Sequence, residues 1–149
     1  MSSMVIGIDP DLDKSGVAVV IDGKLTTLDA MGLFPLTEFI LEHRHTAHFV
    51  VEAVAWDRAV YPRPKVSRKG MLKVAQDVGK VKATGKFIGE FLAGCDANFT
   101  LMKPLRGVVK LAKNDAKRFN RMTGWTGRSN QDKRDAGLLA LTYTGTLGR

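Results

Sequence analysis

An α/β domain built on a mixed five-stranded sheet is predicted by three features of the chain. Two apolar runs, Met4–Asp9 and Gly16–Asp22, and a third strand-like run, Lys24–Ala30, are separated only by turns. Two further strand-like runs, Ala47–Val54 and Asn98–Met102, are each preceded by a stretch of helical spacing. The C-terminal third alternates basic helical segments with a Gly-rich loop. The first feature reads as an antiparallel three-strand meander and the second as two parallel strands reached through helical crossovers, with helices flanking the sheet.

The elements follow in order. Asp22-Gly23 is a strong hairpin signal between the second and third strands. Leu36–His45 carries apolar residues at helical spacing, with Pro35 near its start. Ala47–Val54 is β-branched and nearly all apolar, as expected of a buried central strand. Trp56–Lys69, with Pro62, Pro64 and five basic residues, reads as a loop. Gly70–Ala93 has a near-3.6 apolar period and predicts a long helix, weakened by Gly79, Gly85 and Gly89. Lys113–Met122 is expected to be a very basic helix, Thr123–Asn130 a loop and Asn130–Leu147 the last helix. At 149 residues, with no internal repeat or linker, a single domain over 1–149 is expected.

Charge is distributed unevenly. Residues 1–55 hold 3 Lys and Arg against 8 Asp and Glu, whereas residues 56–134 hold 19 against 6. A basic block of that size points to a polyanion partner such as nucleic acid, against a merely solubilising surface. With no signal peptide, no apolar run of membrane length and no separate amphipathic basic helix, neither export nor membrane binding is expected. Cys95 is the only cysteine, which excludes an internal disulfide framework and a multi-cysteine zinc site.

Four carboxylates stand apart from the remaining charge. Asp9 ends the first strand and lies in Gly7-Ile-Asp-Pro-Asp-Leu-Asp-Lys-Ser-Gly16. Asp-Pro is also a common turn starter. The alternating Asp do not make a calcium loop, since Lys14 and Val20 stand where Gly and Glu are required. Nor is this a phosphate loop, for want of Gly-Lys-Ser/Thr. Glu52 sits within an apolar strand, where an unpaired carboxylate is costly; a metal or a Lys/Arg partner would explain it. Asp132 and Asp135 lie three apart and so share one helix face. Ser129-Asn-Gln-Asp132 reads as a capping box, so capping and metal binding are both open for Asp132. Oxygen ligands of this kind suit Mg²⁺ or Mn²⁺. His43, His45 and His48 lie away from this set and lack zinc spacing.

Together these residues resemble the RuvC family of Holliday-junction resolvases, within the RNase H-like superfamily. Three motifs carry the resemblance: Gly7-Ile-Asp-Pro-Asp with Ser15-Gly16, Val51-Glu52 at the end of the fourth strand, and Asp132-Lys-Arg-Asp135-Ala. Their order and spacing agree over essentially the whole chain. The departures are an acidic Pro10–Lys14 segment, Ala55 where the family has Phe, and only an echo of the Gly-Gln-Ala-Arg-Gly helix in Ala75–Gly79. They fit a phage or prophage type.

The resemblance implies an RNase H-like fold and an endonuclease that resolves four-way junctions by paired symmetric nicks. Asp9, Glu52, Asp132 and Asp135 would be both catalytic and metal ligands, holding two Mg²⁺ or Mn²⁺. It implies a homodimer acting on branched DNA in the cytoplasm of a bacterial or phage-infected cell. DNA contacts are expected from Arg58, Arg63, Lys65, Arg68, Lys69, Lys73, Lys80, Lys110, Lys113, Lys117 and Arg118. Trp56 and Tyr61 would stack on unpaired bases unless Trp56 packs in the core. The competing readings are a related nuclease for other branched DNA or RNA–DNA hybrids, a non-catalytic junction binder, and an ATP-using phosphotransferase. The last lacks its second phosphate-binding segment here.

Overall fold

The computed structural model describes residues 2–53 and 67–147, with residues 68, 71–75, 77 and 78 described by their backbone alone. The strands are β1 (Met4–Asp9), β2 (Ser15–Ile21), β3 (Lys24–Met31), β4 (His48–Glu52) and β5 (Asn98–Met102). The helices are α1 (Leu33–His43), α2 (Arg68–Gly94), α3 (Val108–Leu111), α4 (Ala116–Thr123) and α5 (Gln131–Thr144). The sheet runs β3-β2-β1-β4-β5. β1, β2 and β3 pair antiparallel, while β4 is parallel to both β1 and β5. This is the expected mixed sheet. None of the helices described is long and apolar enough to cross a membrane.

Side-chain alternation sorts each strand between two layers. Ile6, Ile8, Phe49 and Val51 point to one face, where Leu36 and Ile40 of α1 and Ile88 and Leu92 of α2 cover them. Val5, Val20 and Val50 point to the other face and meet Leu139, Ala140 and Leu141 of α5. A side cluster of Ala112, Phe119 and Leu138 docks the α3–α4 segment on α5. The same alternation carries Asp9 and Glu52 onto the α5 face.

Two strand glycines let α5 lie against the sheet. A Cβ at Gly7 would overlap the Ala136 carbonyl and meet the Ala140 methyl at 3.0 Å. A Cβ at Gly16 would overlap the Asp132 carbonyl. Both glycines belong to the motifs singled out in the sequence, and their role is close backbone approach.

Several boundaries differ from expectation. α1 starts at Leu33, because Pro35 is tolerated within a first helical turn, and it stops at His43. α2 begins at Arg68, inside the stretch read as loop, because the Ser67 side chain caps it by accepting from the Gly70 amide at 3.0 Å. The basic helix expected over Lys113–Met122 is broken. A 3₁₀ turn, Ala112–Asn114, precedes Asp115, whose side chain accepts from the Arg118 amide at 3.1 Å and starts α4. α5 is capped by Asn130, which accepts from the Lys133 amide at 2.9 Å, rather than by Ser129. It ends at Thr144, where Gly145 is left-handed at φ 71°.

Candidate active site

β1 and β4 are parallel and in register, Ile8 opposite Val51, so Asp9 and Glu52 emerge side by side at the same end of the sheet. α5 crosses that end on the face to which both carboxylates point. Its fifth residue, Asp135, completes a cluster in which one carboxylate oxygen from each of Asp9, Glu52 and Asp135 lies within 4.8 Å of the others. Asp9 is 7% exposed and Asp135 6%, while Glu52 is half-buried.

The electrostatics follow from crowding. Burial, with the hydrogen bond and charge of Glu52 and the charge of Asp135, drives the Asp9 pKa well up. Burial and Glu52 do the same to Asp135. Burial also opposes ionisation of Glu52. Hydrogen bonds with Asp9 and Asp135 and the charges of Lys113 and Lys110 outweigh it, so the Glu52 pKa falls. Glu52 thus ionises ahead of Asp9 and Asp135 as pH rises.

Among the described residues, one ammonium group lies within ion-pair distance of this cluster. Lys113 Nζ lies 3.6 Å from Asp135 Oδ2. Burial lowers its pKa, but Asp135, Asp9, Glu52 and Asp132 together raise it. One cation against three clustered carboxylates leaves negative charge uncompensated when all are ionised. A divalent cation bound through oxygen ligands fits that donor set.

Asp132 stands apart from the three. Its first-turn position is the one expected, but its carboxyl shares a hydrogen bond with Asp11, and burial and that neighbour raise its pKa. Asp11 was legible only as one of three alternating Asp in the loop after β1. Ser15, buried at the start of β2, shapes that loop by accepting from the Asp11 amide at 3.3 Å. The other residue missed in the sequence is Arg134, 8% exposed, between the two α5 carboxylates. A charged residue in a basic run reads as solvated, and nothing in its spacing announces burial.

The basic candidates divide. Lys110 is exposed and Lys113 half-buried beside the carboxylates, while Lys117 is exposed and Arg118 half-buried on α4. Lys69 and Lys80 are exposed on α2, and Arg68 and Lys73 lie on its backbone path. Trp56, Arg58, Tyr61, Arg63 and Lys65 lie outside the described residues. His48 shares the α5 face of β4 with Glu52 but sits at the opposite end of the strand. There it bonds Thr100 Oγ1 at 2.8 Å and stacks on Tyr143 at 4.9 Å.

No protein-family model matches the chain, and no curated protein matches it by sequence. Solved structures do. One is Thermus thermophilus RuvC in complex with a Holliday junction substrate, 19% identical, with a TM-score of 0.56, covering 99% of both chains. Another is the T. thermophilus RuvC structure at 18% identity and a TM-score of 0.53, again over 99% of both. With a mixed five-stranded sheet, helices on both its faces and this likeness, the chain has the RuvC fold, of the RNase H-like type, over essentially its whole length.

Proposed function

We propose that this protein is a divalent-metal-dependent DNA endonuclease that resolves four-way junctions by paired, symmetric nicks. The observation that carries the reading is the buried Asp9, Glu52 and Asp135 cluster at the strand ends of a RuvC-type sheet. These three carboxylates would hold Mg²⁺ or Mn²⁺, two ions in all, with Asp132 contributing from the edge of the cluster. Bound there, such ions supply Lewis-acid stabilisation and an activated water for phosphodiester hydrolysis.

The chain's own residues supply the remainder. Glu52 ionises most readily of the three. Lys113 and Lys110, whose charges act on the carboxylates, would neutralise a scissile phosphate approaching them. The basic block 56–134 would hold the DNA arms, and a two-fold homodimer would present two such sites to a junction. The structure that this chain resembles was solved with a Holliday junction substrate, which favours a branched substrate over a linear one.

The test is cleavage of a synthetic four-way junction with Mg²⁺, mapping both cuts, beside a fork, a linear duplex and an RNA–DNA hybrid. Symmetric paired nicks on the junction are expected. Preference for the hybrid, or no cleavage of any substrate with Mg²⁺ or Mn²⁺, would overturn the reading.

A further inference from the structure

Among the described residues, Arg134 is a buried cation with no ion-pair partner. Its Nε donates to the Lys113 carbonyl at 2.7 Å, and its Nη1 donates to the Ser129 carbonyl at 3.1 Å and to Ser129 Oγ at 3.0 Å. Among the described residues, no carboxylate lies within ion-pair distance of it. A guanidinium satisfied only by neutral oxygens is an expensive way to fill a buried position. The helix start does not need it either, since Asn130 provides the cap.

What Arg134 does hold is the backbone of Lys113. That residue sits in a single 3₁₀ turn, Ala112–Asn114, a short element with little order of its own. Ala112 anchors the turn in the Phe119 and Leu138 cluster, and Gln131 Nε2 donates to Asn114 Oδ1 at 2.9 Å from the exposed side. Arg134 takes the carbonyl between them. The contacts then close on themselves. Arg134 leaves α5 and fixes Lys113, and the Lys113 ammonium returns to Asp135, the next residue of α5. A lysine stem is long and flexible, so fixing its backbone is what limits where its charge can go.

We propose that Arg134 is a positioning residue that holds the Lys113 ammonium against the Asp9, Glu52 and Asp135 cluster. Lys113 is then the internal cation of the metal-free site, and Arg134 sets how firmly it competes with a divalent ion. The catalytic consequence rests on the nuclease reading; the competition does not.

The experiment is titration calorimetry of the full chain with Mn²⁺ and no DNA, on the wild type, Arg134→Gln, Lys113→Met and the double variant. Each single change is expected to tighten Mn²⁺ binding by about tenfold, the loss of one charge-assisted contact from the metal-free state. The double variant is expected to match either single one. Wild-type affinity in Arg134→Gln beside a gain in Lys113→Met would overturn the proposal, as would single effects that multiply in the double variant. A merely structural Arg134 would lower the melting temperature without moving the affinity. Arg134→Lys keeps the charge but cannot span both the Lys113 and Ser129 carbonyls. It is expected to follow Arg134→Gln, and it carries the same comparison if that variant does not fold; wild-type affinity in Arg134→Lys counts against the proposal. Junction cleavage by the same four proteins should show an equal fall in kcat in all three variants with KM unchanged. A wild type that binds Mn²⁺ yet cuts no junction would sink the nuclease reading, and the titration would still decide this one.

Discussion

Burial and neighbouring carboxyls push the Asp9 pKa up to about 10 and that of Asp135 up to about 7. An acid whose pKa is raised on folding stabilises the fold below its unfolded value, and that stability is lost as pH rises through the folded value. The metal-free protein should therefore lose stability between about pH 4 and pH 7 through Asp135, and onward to about pH 10 through Asp9. Glu52, with its lowered pKa, acts in the opposite sense only at acid pH. Urea denaturation in chelator should give a lower unfolding free energy at pH 9 than at pH 6, with a smaller drop in Asp9→Asn; a flat profile would contradict the crowded cluster. Because ligands must shed protons to bind metal, added Mg²⁺ or Mn²⁺ should raise the melting temperature more at pH 9 than at pH 6. Asp9→Asn, Glu52→Gln and Asp135→Asn should each abolish junction cleavage while binding persists, since affinity comes mainly from phosphate contacts. Asp132→Asn should cut less deeply, because Asp132 is engaged with Asp11 outside the cluster. Wild-type cleavage by Asp9→Asn would defeat the metal reading.

The placement of α5 decides whether Asp135 reaches the strand ends. Gly7 and Gly16 allow that helix to lie directly on β1 and β2, and neither site has room for a methyl group. Gly7→Ala and Gly16→Ala should each destabilise the fold by about 1–3 kcal/mol or more, read by urea denaturation, as overpacked core positions do. Cleavage should fall further than stability accounts for, because lifting α5 withdraws Asp135. Gly89→Ala on α2 is the contrasting change, with nothing within 4 Å of its would-be Cβ. It should leave cleavage intact and stabilise by roughly 0.4–1 kcal/mol. If all three alanines behave alike, close approach of α5 is not what the strand glycines provide.

Across the whole molecule the acidic N-terminal third supplies Asp9 and Glu52, and the basic remainder supplies the surroundings. Junction affinity should fall steeply with salt, with a log–log slope of about −0.9 per phosphate contacted on duplex arms. Removing the charge of Lys110, Lys117 or Arg118 should weaken binding more than removing that of Lys24, which is exposed on β3 outside the basic block. A slope near zero would assign the block to solvent. Trp56 and Tyr61 follow Glu52 closely in sequence. Trp56→Ala or Tyr61→Ala should reduce junction cleavage more than duplex affinity at an unchanged melting temperature. Equal losses, or a fall in melting temperature alone, would make the aromatics structural.

The five strands and the mixed sheet were legible because the apolar runs and the Asp22-Gly23 turn are local signals, whereas the strand order β3-β2-β1-β4-β5 came from the fold alone. Asp9 and Glu52 were legible because each ends or interrupts an apolar run in which solvated charge has no place, and Asp135 because it shares a helix face with Asp132. What the sequence did not determine was which of the four acids would meet. Asp132 and Asp135 lie three positions apart on one helix, and only the packing of α5 over Gly7 and Gly16 sends Asp135 to the strand ends and leaves Asp132 with Asp11. The break at Asp115 was equally hidden, because Lys113–Met122 has helical composition throughout and a single capping side chain divides it. The role of Arg134 was least accessible of all. Its partners are the Lys113 carbonyl and the carbonyl and hydroxyl of Ser129, 21 and 5 residues away, and every residue offers a carbonyl. Carboxylates in apolar runs declare themselves through the cost of burying them, whereas a cation bonded to main-chain oxygens acquires its meaning only when the chain is folded.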